Sequence, residues 1–237
     1  SSEPVVKVRG LLHECESDGA QTNQLWYARS RLAAGILSLR VWTSTQTVWY
    51  NYASRCVEKT GLYSVALLHD VTVRMKEDGL LDGKSVVRLW QDAGPHFRAS
   101  VVLGSIAVHL TASTGMHWEC LYGLERHFKN DCDGQFAVLS ARLNDARKRY
   151  MVDSIEKLVQ CWSEGYDIAR QQDPSRAREV FVDFVPPEKA TVKAHRFADN
   201  ALPAPIKKCH HWRFQIMDRR RRSQLSKSGA YCTNVKV

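Results

Sequence analysis

The sequence predicts an α/β protein, a mixed sheet flanked by helices, with an irregular, Pro-rich and basic extension at its C-terminal side. Three observations carry this. Between Ser85 and Trp162 the apolar runs follow the order strand, helix, strand, helix, which implies parallel strands joined by crossover helices. The chain has 237 residues, 44% of them hydrophobic and 25% charged, enough to bury one sizeable core. Beyond Gln171, Asp173-Pro174, Pro186-Pro187, Pro203 and Pro205 break up the pattern.

Taken in order, Val5 to Leu12 is a short apolar run expected to form an edge strand. Leu25, Ala28, Leu32, Ile36 and Leu39 recur at helical spacing, so an amphipathic helix is expected over 25–39. Leu39 to Tyr52 is rich in Val, Trp, Thr and Tyr, and Gly61 to Leu68 is a second β-prone run, so two strands are expected there. Asp70 to Leu80 predicts a short helix closed by the turns Asp78-Gly79 and Asp82-Gly83.

Ser85 to Trp90 is a strand running into the loop Gln91-Asp92-Ala93-Gly94-Pro95. A helix over Ala99 to Thr111 and a strand over Met116 to Tyr122 follow. Asp133 to Tyr150 carries Phe136, Leu139, Leu143 and Ala146 on one helical face, and Met151 to Trp162 continues as helix. Short strands are expected over Glu179 to Val185 and His210 to Met217. The organisation read from this is an N-terminal extension with a helix over 1–38, a core over 39–170 and a C-terminal extension over 171–237.

Charge points to the partner. Thirty-four Lys and Arg against 25 Asp and Glu leave +9 and a pI near 9.3, an excess that favours polyanions, nucleic acid first. Arg219, Arg220, Arg221 and Arg222 form a basic run suited to phosphate contact or nuclear import. Trp42, Trp49 and Tyr50 are aromatic residues that can stack on bases, although in a β-prone run such residues commonly serve the sheet itself. The seven cysteines are scattered without a CxxC pair, which argues against a secreted disulfide framework. No apolar run reaches bilayer length, so no membrane insertion is expected.

In open α/β sheets, chemistry collects at the carboxyl ends of parallel strands. Asp92 follows one such end and Glu125 the next. Paired carboxylates there suit Mg²⁺ or Mn²⁺ and an in-line phosphoryl displacement.

The run Val87-Arg88-Leu89-Trp90-Gln91-Asp92-Ala93-Gly94-Pro95-His96-Phe97-Arg98 resembles the segment holding the second catalytic Asp of eukaryotic DDE-type cut-and-paste transposases. Farther on, Leu124-Glu125-Arg126-His127-Phe128-Lys129 with Asp133-Gly134 resembles the Glu-Ala-Gly-His-Gly-Lys-x-x-x-Asp-Gly motif of that class. The resemblance implies an RNase H-like core and a Mg- or Mn-dependent DNA transposase or endonuclease. Asp92 and Glu125 would then be the catalytic metal ligands, with Asp133 the competing third acid. His96, Arg98, His127 and Lys129 would face the nucleic-acid backbone.

The resemblance also implies a first acid on the first strand, ahead of two further antiparallel strands. Asp70 lies too close to Asp92, and Leu39 to Tyr52 contains no acid. Glu14, Glu16 and Asp18 follow the 5–12 run, but the expected 25–39 helix would intervene before the next strand. The first acid is therefore lost or upstream of Ser1. Gln91 for Ser, Ala93 for Gly, Arg126 for a small residue and Phe128 for Gly are departures of a divergent or domesticated copy. Hence the alternative expectation is a catalytically inactive RNase H-like nucleic-acid-binding or structural subunit of a larger protein or ribonucleoprotein complex. DNA is the first expected ligand and RNA the second. The compartment implied is nuclear for a transposase-like protein, or organellar or cytoplasmic for a complex subunit, and not secreted.

Overall fold

The computed structural model describes residues 5–15, 33–56, 60–91, 94–123, 131–188, 191–196, 209–216 and 230–234. Among the described residues, eight strands form one mixed sheet: β1 (Val5–Cys15), β2 (Ala34–Trp42), β3 (Thr47–Ser54), β4 (Val86–Gln91), β5 (His117–Tyr122), β6 (Arg178–Asp183), β7 (His211–Ile216) and β8 (Ala230–Asn234). Their order across the sheet is β6-β3-β2-β1-β4-β5-β7-β8. β1, β2 and β3 are successively antiparallel, β4 is parallel to β1, and β5 is parallel to β4. β6 joins β3 in parallel, while β7 and β8 extend the far side antiparallel.

Among the described residues, four helices cover the sheet: α1 (Gly61–Glu77), α2 (100–114), α3 (Asp131–Arg147) and α4 (Ile155–Gln172). α2 is a continuous rod whose middle turn, Ile106–Leu110, is π-helical. α1 and α2 bury Leu67, Val71, Met75, Val102, Ile106 and Leu110 against one sheet face, with Leu37, Tyr50, Val87, Trp118, Trp212 and Phe214 beneath them. α3 and α4 place Leu139, Ala146, Leu158 and Trp162 over Ala34, Ile36 and Ala53 on the other. The result is a three-layer α/β/α arrangement. Two tyrosines pin α1 and the turn after it to β3. Tyr52 donates to Asp70, 2.8 Å away, and Tyr50 to Asp78; burial, then the carboxylates, push both phenols above their ordinary range.

The strands expected near Ser85–Trp90, Met116–Tyr122, Glu179–Val185 and His210–Met217 are present as β4, β5, β6 and β7. Four expectations are corrected. β1 is not an edge strand, because β2 and β4 pair with it on both sides. The end of the helix expected over 25–39 is β2, buried from Ala34 to Leu39, and 16–32 lies outside the described residues. A strand buried on both faces shows the same continuous apolar run as a buried helix, so periodicity cannot separate them. Gly35 fits this crowding, since a Cβ there would lie 2.4 Å from the Cys56 carbonyl oxygen.

The β-prone run Gly61–Leu68 is the first half of α1. Thr60 accepts a hydrogen bond from the Tyr63 amide at 3.2 Å as N-cap, and the apolar face continues through Val71 and Met75. Cap and length outweigh the local β preference. The helix expected to run on from Met151 instead starts at Ile155, where Ser154 caps it. Strands from both ends of the chain, β1 and β6 to β8, belong to the same sheet as β2–β5.

Candidate nucleic-acid site

The carboxyl end of β4 lies between β1 and β5, in the register Gly10–Gln91–Tyr122. Gly123 donates its amide to the Gln91 carbonyl at 3.0 Å. Gln91 is 0% exposed, and among the described residues neither Nε2 nor Oε1 of its amide has a hydrogen-bond partner. A buried unpaired amide costs about 1–3 kcal/mol, so the residue just before Asp92 is a locally destabilised position.

Asp92 and Glu125 lie outside the described residues, as do His127, Lys129 and Arg219, Arg220, Arg221 and Arg222. Asp133 is described: it is exposed in the first turn of α3, beside Asp131, where acidic side chains favour the helix N-terminus.

His96 is 8% exposed, its ring 4.5 Å from that of Phe97. Arg98 donates to the Cys209 carbonyl at 2.8 Å and lies 5.4 Å over the Tyr122 ring. Tyr122 in turn donates from its hydroxyl to the Phe97 carbonyl at 3.1 Å and from its amide to the His210 carbonyl at 2.8 Å. These bonds tie the loop after β4, the end of β5 and the start of β7 into one corner. Arg98 thus has an intramolecular role there.

Asp92 and Glu125, the metal ligands the resemblance implies, lie outside the described residues. No group of three or more His, Cys, Asp or Glu among them can hold a metal ion. β1, which neighbours the end of β4, presents Arg9 and Gly10 opposite Trp90 and Gln91. Its one acid is Glu14, farther along the strand and paired with Gly35 of β2.

Basic and aromatic residues do gather on the face that carries α3 and α4, on the part near Trp90. Trp42 of β2 and Trp90 of β4 stack across β1 with centroids 5.7 Å apart and planes at 16°. The Arg40 guanidinium lies 5.4 Å from the Trp42 ring and 5.9 Å from that of Trp49, and it pairs with Asp131 at the start of α3. Beside this stack, Glu119 of β5 accepts from Arg88 at 2.6 Å, with Arg213 of β7 3.4 Å away.

Trp42 and Trp49 were candidate stacking residues from sequence, whereas Tyr50, the third, is fully buried in the core. Arg40, Arg88, Trp90 and Arg213 were not singled out. The signal for two of them was present: along Val87-Arg88-Leu89-Trp90-Gln91, residues 88 and 90 alternate away from the buried 87, 89 and 91. No protein-family model, no curated protein and no solved structure matches the chain. No helix of the described residues is long and apolar enough to cross a membrane.

Proposed function

We propose that this chain is a nucleic-acid-binding protein built on an RNase H-like core of the DDE-transposase type, and that its core binds without cutting. One observation carries the reading. Three successive antiparallel strands are followed by two strands parallel to the first, in the order β3-β2-β1-β4-β5. This order supports the RNase H-like reading, in which three antiparallel strands precede the strand that runs into Asp92, and on that reading β1 is the first strand.

The same strand supports binding over cleavage. Arg9 and Gly10 occupy the register beside the end of β4, and a cation or a glycine there supplies no metal ligand. Two-metal phosphoryl transfer needs converging carboxylates, and β1 contributes none at that level. The formal charge of +9 supports a polyanionic ligand, with DNA first and RNA second, and the Arg219–Arg222 run favours a nuclear setting.

Fluorescence anisotropy with labelled DNA and RNA at increasing salt, alongside a Mg²⁺ or Mn²⁺ cleavage assay, tests this. Binding that weakens log-linearly with salt, without cleavage, is expected. Metal-dependent cleavage that disappears in Asp92→Asn would replace this reading with the catalytic one, and no binding at low salt would remove it.

A further inference from the structure

We propose that the Trp49–Arg40–Trp42–Trp90 stack, together with Arg88 and Arg213, is a docking platform for single-stranded nucleic acid. The proposal rests on the nucleic-acid-binding reading and says where and in what form the ligand sits.

The sheet register builds the platform in two neighbouring rows. Trp49, Arg40, Arg9 and Trp90 stand opposite one another across β3, β2, β1 and β4. The next row is Trp42, Lys7, Arg88, Glu119 and Arg213 across β2, β1, β4, β5 and β7. The helices on this face cluster with Ala34, Ile36 and Ala53, and α3 adds Gln135 bonding to Asn51 and Glu179. Their described packing is over β1, β2, β3 and β6, with Asp131 at the start of α3 reaching Arg40.

Exposure agrees with a surface role. The side chains of Arg40, Arg88 and Arg213 retain 33%, 36% and 31% exposure, and Trp42, Trp49 and Trp90 are half-buried. An ordinary core tryptophan is sealed, as Trp118 and Trp212 of this sheet and Trp162 of α4 are. Three arginines, Arg40, Arg88 and Arg213, stand against two acids, Glu119 and Asp131, which leaves an excess of one positive charge among these groups.

Half-exposed indoles interleaved with arginines are what a single strand needs. Each base offers a π-face to stack, and the arginines meet the phosphates or stack themselves. A duplex hides its base faces and leaves the indoles without a partner. From β3 to β7 the sheet spans roughly 24 Å at about 4.8 Å per strand spacing, which fits a run of roughly four nucleotides or more.

The test compares the full chain against a single-stranded DNA, a single-stranded RNA and a DNA duplex of equal length by anisotropy. The wild-type protein is also photo-crosslinked to a 5-iodouracil-substituted strand, with adducts mapped by mass spectrometry. Tighter binding to single strands than to duplex is expected, with adducts in peptides holding Trp42, Trp49 or Trp90. Trp90→Leu should weaken single-strand binding roughly 5- to 100-fold, with Trp90→Phe retaining most of it. The DNA and RNA arms decide which polymer supplies the strand. Duplex preference, adducts confined to other peptides such as the Arg219–Arg222 run, or a folded Trp90→Leu that binds like wild type overturns the platform while leaving the parent reading intact. Failure of the wild type to bind any of the three overturns both. The crosslinking arm needs no substitution, so a misfolded variant does not leave the question open.

Discussion

Arg142 of α3 holds Glu179 of β6 by two bonds, 2.7 and 2.8 Å long, and both side chains are buried. Gln135 donates to the same carboxylate at 2.8 Å, and the Tyr166 and Phe181 rings flank the guanidinium at 5.8 Å. The pair fastens the second helical layer to the sheet edge. Removing one partner of such a pair strands a buried charge, at about 3–5 kcal/mol, whereas replacing both by apolar residues is close to neutral. Arg142→Met and Glu179→Leu should each lower the urea midpoint sharply, and the double variant should recover most of the loss. Additive losses in the double variant would mean the pair is not coupled.

Gln91 makes the opposite prediction. Its amide is buried and, among the described residues, unpaired, so Gln91→Met, similar in length and without the amide, should stabilise the fold by about 1–3 kcal/mol. Chemical denaturation measures it. A loss of stability would show that the amide has a partner in solution, a bound water being the simplest.

Gly104 allows residues 191–196 to lie directly on α2. A Cβ at this position would stand 2.2 Å from the His195 carbonyl oxygen, and the neighbouring Ser105 hydroxyl accepts the His195 amide at 3.0 Å. Gly104→Ala should therefore cost about 1–3 kcal/mol despite the higher helix propensity of Ala. Hydrogen exchange should rise in 191–196 and leave β1–β5 unchanged; protection equal to wild type would refute the contact.

The same segment makes stability depend on pH. Burial, followed by the nearby charges of Lys193 and of other histidines, lowers the pKa of His69 and His109, although hydrogen bonds to the backbone at Lys193 and Ala194 partly offset it. Burial also lowers that of His211, helped by Arg213 and Arg88 and opposed by Glu119. Groups with folded values below the ordinary histidine value of about 6.5 bind fewer protons folded than unfolded. Their contribution is complete above that value and is lost as pH falls through the folded values. The melting temperature should decline as pH is taken from 7.5 to about 5, and less steeply in His69→Gln/His109→Gln. An unchanged slope in that variant would assign the decline to other groups.

Local pattern carried much of the fold. Val86–Gln91 and His117–Tyr122 announce themselves as short apolar runs at the edges of a helical stretch, and α3 shows its buried face through Leu139 and Ala146. Where a segment was misread, a tertiary neighbour was the cause. Ala34–Leu39 is apolar on both sides because β1 and β3 flank it and helices cover it. Gly61–Leu68 is helical because Thr60 caps it and the sheet accepts its apolar side.

By itself the sequence determined the α/β class, the basic charge and the position of the motif-bearing loop after β4. These depend on residue type and short-range spacing. The placement of β1 between β2 and β4, the alignment of Arg9 and Gly10 with the end of β4, and the stacking of Trp42 on Trp90 depend on pairing between segments far apart in the chain. Strand register is set by which faces are buried together. Only the folded sheet therefore decided which residues neighbour the end of β4, and which tryptophans lie at its surface rather than in its core.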